Sequence, residues 1–233
     1  MDVVKLGPGL WRWTAYHEEW RQDVGSVYYE TPDGVVLVDP LVPSDEETRF
    51  WEALDRDVTK AGGAVQVLVT VFWHTRSARA VLERYSGPAP APAKPAPPLP
   101  RRLRRAYAGV RVWAPARGEK AIARRAGSVT DPFRPGDPLP GGIVALPTAR
   151  ANEVVYWLPG EHTLVPGDVL LGDGSGGVRL CPQSWLPERT TLADLASSLR
   201  PVLELPVERV LVSHGEPVLD DARAALGAAL ERV

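Results

Sequence analysis

Residues 65–77 read Val65-Gln66-Val67-Leu68-Val69-Thr70-Val71-Phe72-Trp73-His74-Thr75-Arg76-Ser77. The dense apolar run from Val65 to Val71 has the length and β-branched content of a strand buried on both faces. It stops at a polar cluster, His74-Thr75-Arg76-Ser77, and a short helical stretch, Ala78–Tyr85, follows. A strand that carries polar side chains at its C-terminal end and runs on into a helix is a unit of layered α/β folds. In such folds these strand ends gather at one crevice.

Toward the N-terminus, aromatic and β-branched residues mark strands at Leu10–Ala15, Gly25–Glu30 and Val35–Val38, the last two joined by Thr31-Pro32-Asp33-Gly34. Its Asp-Gly pair is a strong hairpin signal. The strand Val35–Val38 ends at Asp39-Pro40. Ser44 and Glu47 have capping-box spacing ahead of a helix, Asp45–Lys60, which puts Phe50, Trp51, Leu54 and Val58 on one side and ends at Gly62-Gly63.

Toward the C-terminus, Pro88–Pro100 is almost only Pro and Ala and closes on Arg101-Arg102-Leu103-Arg104-Arg105. It lacks the apolar bulk and backbone donors of a core element, so residues 86–106 read as a flexible insertion within one 1–233 domain. Strands are expected at Val110–Ala114 and Ile143–Leu146, a hairpin at Val154–Leu158 with Thr163–Val165, and further strands at Val178–Cys181 and Val210–Val212. Helices are expected at Gly118–Ala126, Leu192–Leu203 and from Asp220 onward.

Composition excludes several classes. The 233 residues carry 27 Lys+Arg against 29 Asp+Glu, a net charge of −2, so no broad basic face is available for nucleic acid. No apolar run is long enough to span a bilayer, and Met1–Leu10 lacks an apolar signal core, which points to a soluble cytoplasmic chain. The single cysteine, Cys181, rules out an internal disulfide and a cysteine-based zinc cluster, and it reads as a structural thiol. There are four histidines: His17, His74, His162 and His214.

Polar residues recur just past strand ends at Asp39, His74, Arg76, Asp168 and His214, and their order resembles the metallo-β-lactamase superfamily. Val35–Asp39 matches that family's first Asp-ending strand. Val71–Ser77 matches the His-x-His-x-Asp-His signature, Val165-Pro166-Gly167-Asp168 the Gly-Asp after a hairpin, and Val210–Gly215 the final His-Gly. The resemblance spans the chain apart from the proline-rich insertion. It implies a four-layer αβ/βα sandwich of two mixed sheets flanked by helices, a hydrolase-like activity, and two metal ions, usually zinc.

With His74 on the second signature histidine, Phe72 takes the place of the first, Arg76 that of the aspartate and Ser77 that of the last histidine. The family's next ligand histidine falls near Ala149, in Pro147-Thr148-Ala149-Arg150. That leaves two donors for each metal position where catalytic zinc takes three, so no metal is expected. An Arg76–Asp168 ion pair is expected in its place.

His74, Arg76, Asp168 and His214 are the candidate catalytic residues. A histidine would act as base and Arg76 would stabilise an oxyanion in hydrolysis of an ester, thioester or lactone-like bond. His17, Phe72, Trp73 and Trp185 are candidate ligand-binding residues around a small-molecule pocket, completed by Trp20. Two alternatives stand beside this reading. One is a single-metal site rebuilt with His17 or His162. The other is a non-catalytic interaction protein using the Pro-x-x-Pro-x-Arg stretch Pro97–Arg102.

Overall fold

The computed structural model describes residues 1–32, 34–87 and 109–233. The proline-rich insertion therefore lies, apart from Ser86 and Gly87, outside the described residues, as does Asp33 of the first hairpin turn.

The N-terminal half builds a seven-stranded sheet in the order β1 to β7. Its strands are β1 (Asp2–Gly7), β2 (Leu10–His17), β3 (Gln22–Thr31), β4 (Gly34–Val38), β5 (Val65–Leu68), β6 (Val110–Pro115) and β7 (Asp131–Phe133). The first four run antiparallel as a meander, and β4 to β7 run parallel. The parallel pairing requires crossovers, which the helices α1 (Glu47–Lys60), α2 (Ala78–Tyr85) and α3 (Glu119–Ala126) provide. These helices press Phe50, Trp51, Leu54, Val58, Val81 and Ile122 onto one face of the sheet. β4 and β5 are buried along their whole length, as their dense apolar runs demand, with Gln66 of β5 accepting from Trp113 Nε1 at 2.7 Å.

The second half gives a four-stranded mixed sheet in the order β13-β10-β9-β8, made of β8 (Val144–Pro147), β9 (Val154–Leu158), β10 (Thr163–Val165) and β13 (Arg209–Val210). A small hairpin, β11 (Leu170–Gly172) with β12 (Val178–Leu180), lies beside it. Helices α4 (Leu192–Leu199) and α5 (Ala222–Glu231) close its outer face around Leu195, Leu199, Leu226 and Leu230. Between the two sheets a third core forms, where Val36, Val38 and Leu68 meet Tyr156, Leu158 and Leu211. The layers are thus helix, sheet, sheet and helix, the expected αβ/βα sandwich.

Several local expectations change. The Ser44–Glu47 capping box does not form: α1 begins at Glu47 with Glu46 at its N-cap, and the Glu46 carboxylate instead takes the Met1 ammonium at 2.9 Å. The run Val65–Val71 is strand only to Leu68, and Phe72–Thr75 coil into a short 3-10 turn. The helix begun at Leu192 tightens to 3-10 geometry from Arg200, because Pro201 has no N–H to continue the ladder. β1 and β7, which sequence reading missed, are short edge strands. No helix among the described residues is long and apolar enough to cross a membrane.

Candidate functional site

The C-terminal ends of β4 and β5, the turn after β10 and the segment after β13 converge at one end of the sandwich. They carry Asp39, His74, Asp168 and His214, respectively. Each approach has a local reason. Gly167 holds φ at +60°, and a Cβ there would lie 2.7 Å from Glu153 Oε1 and 3.0 Å from Thr70, so only glycine lets the chain turn and present Asp168. Asp39 (φ 49°) and Arg76 (φ 36°) also take left-handed backbone, unusual for non-glycine residues and held by dense hydrogen bonding.

Asp39 organises the histidine. Its Oδ1 accepts from the Thr70 backbone N–H at 2.8 Å, and Oδ2 accepts from the Thr70 hydroxyl at 2.6 Å. Oδ2 also lies 2.8 Å from His74 Nδ1. Because a carboxylate can only accept, Nδ1 carries the proton, and the lone pair of the neutral ring is left on Nε2. That Nε2 points at Asp168 Oδ1, 3.1 Å away, and His214 Nε2 reaches the same oxygen at 3.1 Å. The other Asp168 oxygen accepts from Trp73 Nε1 at 2.5 Å.

His74 Nε2 and Asp168 Oδ1 are buried, yet neither meets a partner at a hydrogen-bonding angle. The donor atoms of His74, Asp168 and His214 lie within 4.8 Å of one another. They aim at a shared point rather than along each other's N–H axes.

The electrostatics follow from burial and close charge. Burial opposes a charge on His74, but Asp168 and Asp39 outweigh both burial and Arg76 and lift the imidazole to about 9. Burial likewise opposes ionised Asp168, and His74 and His214 overcome it, holding the carboxyl well below its usual range. Burial pushes the Glu153 carboxyl up to about 7 against the pull of Arg150.

Arg76 corrects the sequence reading. It makes no ion pair with Asp168. Its guanidinium is buried and donates to the Gly25 and Asp39 carbonyls at 2.8 and 2.9 Å, and to the Ser213 hydroxyl at 2.7 Å. Through Nη1 and Nη2 it straps β3, the end of β4 and the His214 segment together, while its Nε is buried without a partner. The spacing of two residues from His74 suggested proximity, but the positive φ at Arg76 turns its side chain away.

A cleft of about 510 Å³ opens over Asp168 and His214, walled by Trp20, Gln22, Trp73, Arg150 and Trp185. Trp73 and Trp185 thus fall where expected, Trp185 edge-on to His214 with ring centres 6.3 Å apart. Phe72 does not line the cleft. It packs toward α3, with Arg125 over its ring at 5.4 Å, because successive residues of the 3-10 turn face different sides.

His17 ends β2 and stacks on Trp20 at 4.0 Å, so Trp20 and not His17 reaches the cleft. His162 sits on the surface turn after β9, 2.9 Å from Glu208. Neither adds a donor to the cluster. Sequence reading missed Thr70, Gln22, Arg150 and Glu153 as parts of the site. Only the Gly-Asp turn and the Arg150–Glu153 spacing hinted at the last two.

No family model and no curated protein matches the sequence. Solved structures match the fold over nearly the whole chain. The DIM-1 metallo-beta-lactamase aligns with a TM-score of 0.66 at 11% identity, covering 99% of this chain and 97% of that one. A metallo-beta-lactamase from Pontibacter korlensis aligns at 0.63 and 15% identity, covering 100% and 99%. A metallo-beta-lactamase family protein from Thermus thermophilus aligns at 0.61 and 17%, covering 98% and 80%. The expected fold is therefore present: the chain has the metallo-β-lactamase architecture.

Two imidazole nitrogens and one carboxylate oxygen are the donor set of a catalytic divalent-metal site, which keeps three protein ligands and one open position. The buried, misaligned polar atoms and the carboxylate behind His74 fit that role. Counting donors along the sequence had spread them over two metal positions. The fold brings the three within 4.8 Å of one another.

Proposed function

We propose that this protein is a hydrolase acting on an ester, thioester or lactone-like bond, with one divalent metal, zinc by the chemistry of the donors, held by His74, Asp168 and His214. The observation that carries this is the convergence of those three donor atoms within 4.8 Å, with His74 Nε2 and Asp168 Oδ1 buried and unpartnered, where Asp168 and His214 line an aromatic cleft. The choice of bond rests on the hydrolase-like fold. A bound metal would polarise a carbonyl and make a water nucleophilic near neutral pH.

The chain's own residues prepare that chemistry. Asp39 holds the proton on His74 Nδ1 and so keeps the Nε2 lone pair directed into the site. Trp73 holds one oxygen of Asp168 and so leaves the other facing both histidines. Trp20, Trp73 and Trp185 give the cleft apolar walls that orient a substrate and exclude bulk water.

Calorimetric titration of chelator-treated protein with zinc, backed by metal analysis, tests this reading. The expected stoichiometry is about one ion per chain, abolished in Asp168→Ala and in His214→Ala, with hydrolysis of a panel of aryl esters, thioesters and lactones following metal content. No binding, or binding indifferent to both substitutions, would overturn it.

A further inference from the structure

Arg150 is the single Lys or Arg among the cleft-lining residues, and its side chain is only 4% exposed. Its Cζ sits over Trp73, 4.7 Å from the ring centre. Nη1 lies 2.6 Å from Glu153 Oε2, a buried ion pair without hydrogen-bond alignment. The other Glu153 oxygen accepts from the Asp168 backbone N–H at 2.6 Å, so the guanidinium is tied to the same turn that presents Asp168. Nε and Nη2 of Arg150 make no hydrogen bond with any described residue, and they are not among the fully buried polar atoms. A guanidinium confined by burial, an ion pair and an aromatic ring, with one edge uncommitted at a cleft wall, is preorganised for a planar anion.

The rest of the wall narrows the class. Trp20, Trp73 and Trp185 offer aromatic faces on a cleft whose volume suits a ligand of one or two fused rings. We propose that Arg150 anchors the carboxylate of a small aromatic acid, or of a substrate bearing an aryl carboxylate, with its ring system against the tryptophans. The inference rests on the cleft being the working site proposed above, but not on a metal being bound.

The experiment titrates metal-free full-length protein with 2-naphthoate, 2-naphthamide and 2-naphthyl phosphate, reading calorimetric affinity and the shift in Tm. The expected result is that naphthoate binds about tenfold or more tighter than the uncharged amide, as for a hydrogen bond to a charged group. That advantage vanishes in Arg150→Met/Glu153→Gln, a pair chosen so that no buried charge is stranded. Arg150→Lys recovers part of it, because lysine keeps the charge but not the fork.

Equal affinity for acid and amide, or an undiminished preference in the folded double variant, would overturn the assignment. So would tighter binding of naphthyl phosphate than of naphthoate. Zinc titration of the same samples separates the two ideas: zinc uptake without a carboxylate preference sinks the anchor alone, and a carboxylate preference without zinc uptake sinks the metal reading alone.

Discussion

Asp39 and Asp168 sit on opposite sides of the His74 ring, and that sandwich sets how the site answers to pH. Without metal, the imidazole is raised from its ordinary value of about 6.5 to about 9. A base with a raised folded pKa contributes stability that is complete below about 6.5 and is lost as pH climbs through about 9. Glu153, held up near 7, titrates in the lower part of this window, and Arg76, pushed down by burial to about 10, begins at its upper end. The His74 share of the fall in Tm of the metal-free protein is therefore read from the difference between the parent chain and an Asp39 variant. Asp39→Asn removes one carboxylate, so the fall is expected to shift toward lower pH; an unchanged profile would show that Asp39 does not hold the proton. The same substitution is expected to weaken zinc binding about 10–100-fold, as loss of a buried ligand-orienting partner does. Zinc uptake must also release the His74 proton, which is measurable by calorimetry in buffers of different ionisation enthalpy.

The elements around the site matter for the angles at which they deliver these side chains. The turn after β10 depends on Gly167, where a Cβ would collide with Glu153 and Thr70, two groups that cannot move without breaking hydrogen bonds to Asp168 and Asp39. Gly167→Ala is expected to cost about 1–3 kcal/mol in chemical denaturation and to weaken zinc binding even where the protein remains folded. An affinity equal to that of the unmodified chain would show that the turn tolerates the methyl. The segment after β13 is positioned by two buried arginines. Arg12 donates to the Val212 and Gly215 carbonyls at 3.3 and 3.0 Å, and Arg76 to Ser213. Composition located β4, β5, β9 and β10 from sequence because they are dense in β-branched and apolar residues and bounded by turn signals. It missed β1 because that edge strand is largely exposed and shows no buried face, and β7 because it has three residues and contains a proline, which favours an edge. The failed capping box is a matter of register: α1 begins at Glu47, so Ser44 is not at the N-cap and Glu47 is not at the third helical position.

At the scale of the whole molecule, the two halves are joined by the core between the sheets and by polar ties such as the Tyr156 hydroxyl, which donates to the Val69 carbonyl at 2.9 Å. Leu158 is fully buried in that core, and Leu158→Ala is expected to cost about 2–5 kcal/mol. Both sheets should melt together, so near- and far-ultraviolet circular dichroism should give coincident transitions. Separate transitions would show that the halves are independently stable. The order of strand-ending motifs, each a local pattern of apolar run and polar stop, was enough by itself to determine the layered architecture and to single out His74, Asp168 and His214. Which atoms meet was decided only by tertiary structure. Arg76 lies two residues from His74 yet turns to backbone carbonyls, while Arg150, far along the chain, lies over Trp73 and beside the turn that carries Asp168. The physical reason is that hydrogen-bond and metal-ligand chemistry depends on direction within tenths of an ångström. Sequence spacing sets only which strand end a residue occupies, whereas backbone dihedrals and packing between the sheets set where its side chain points.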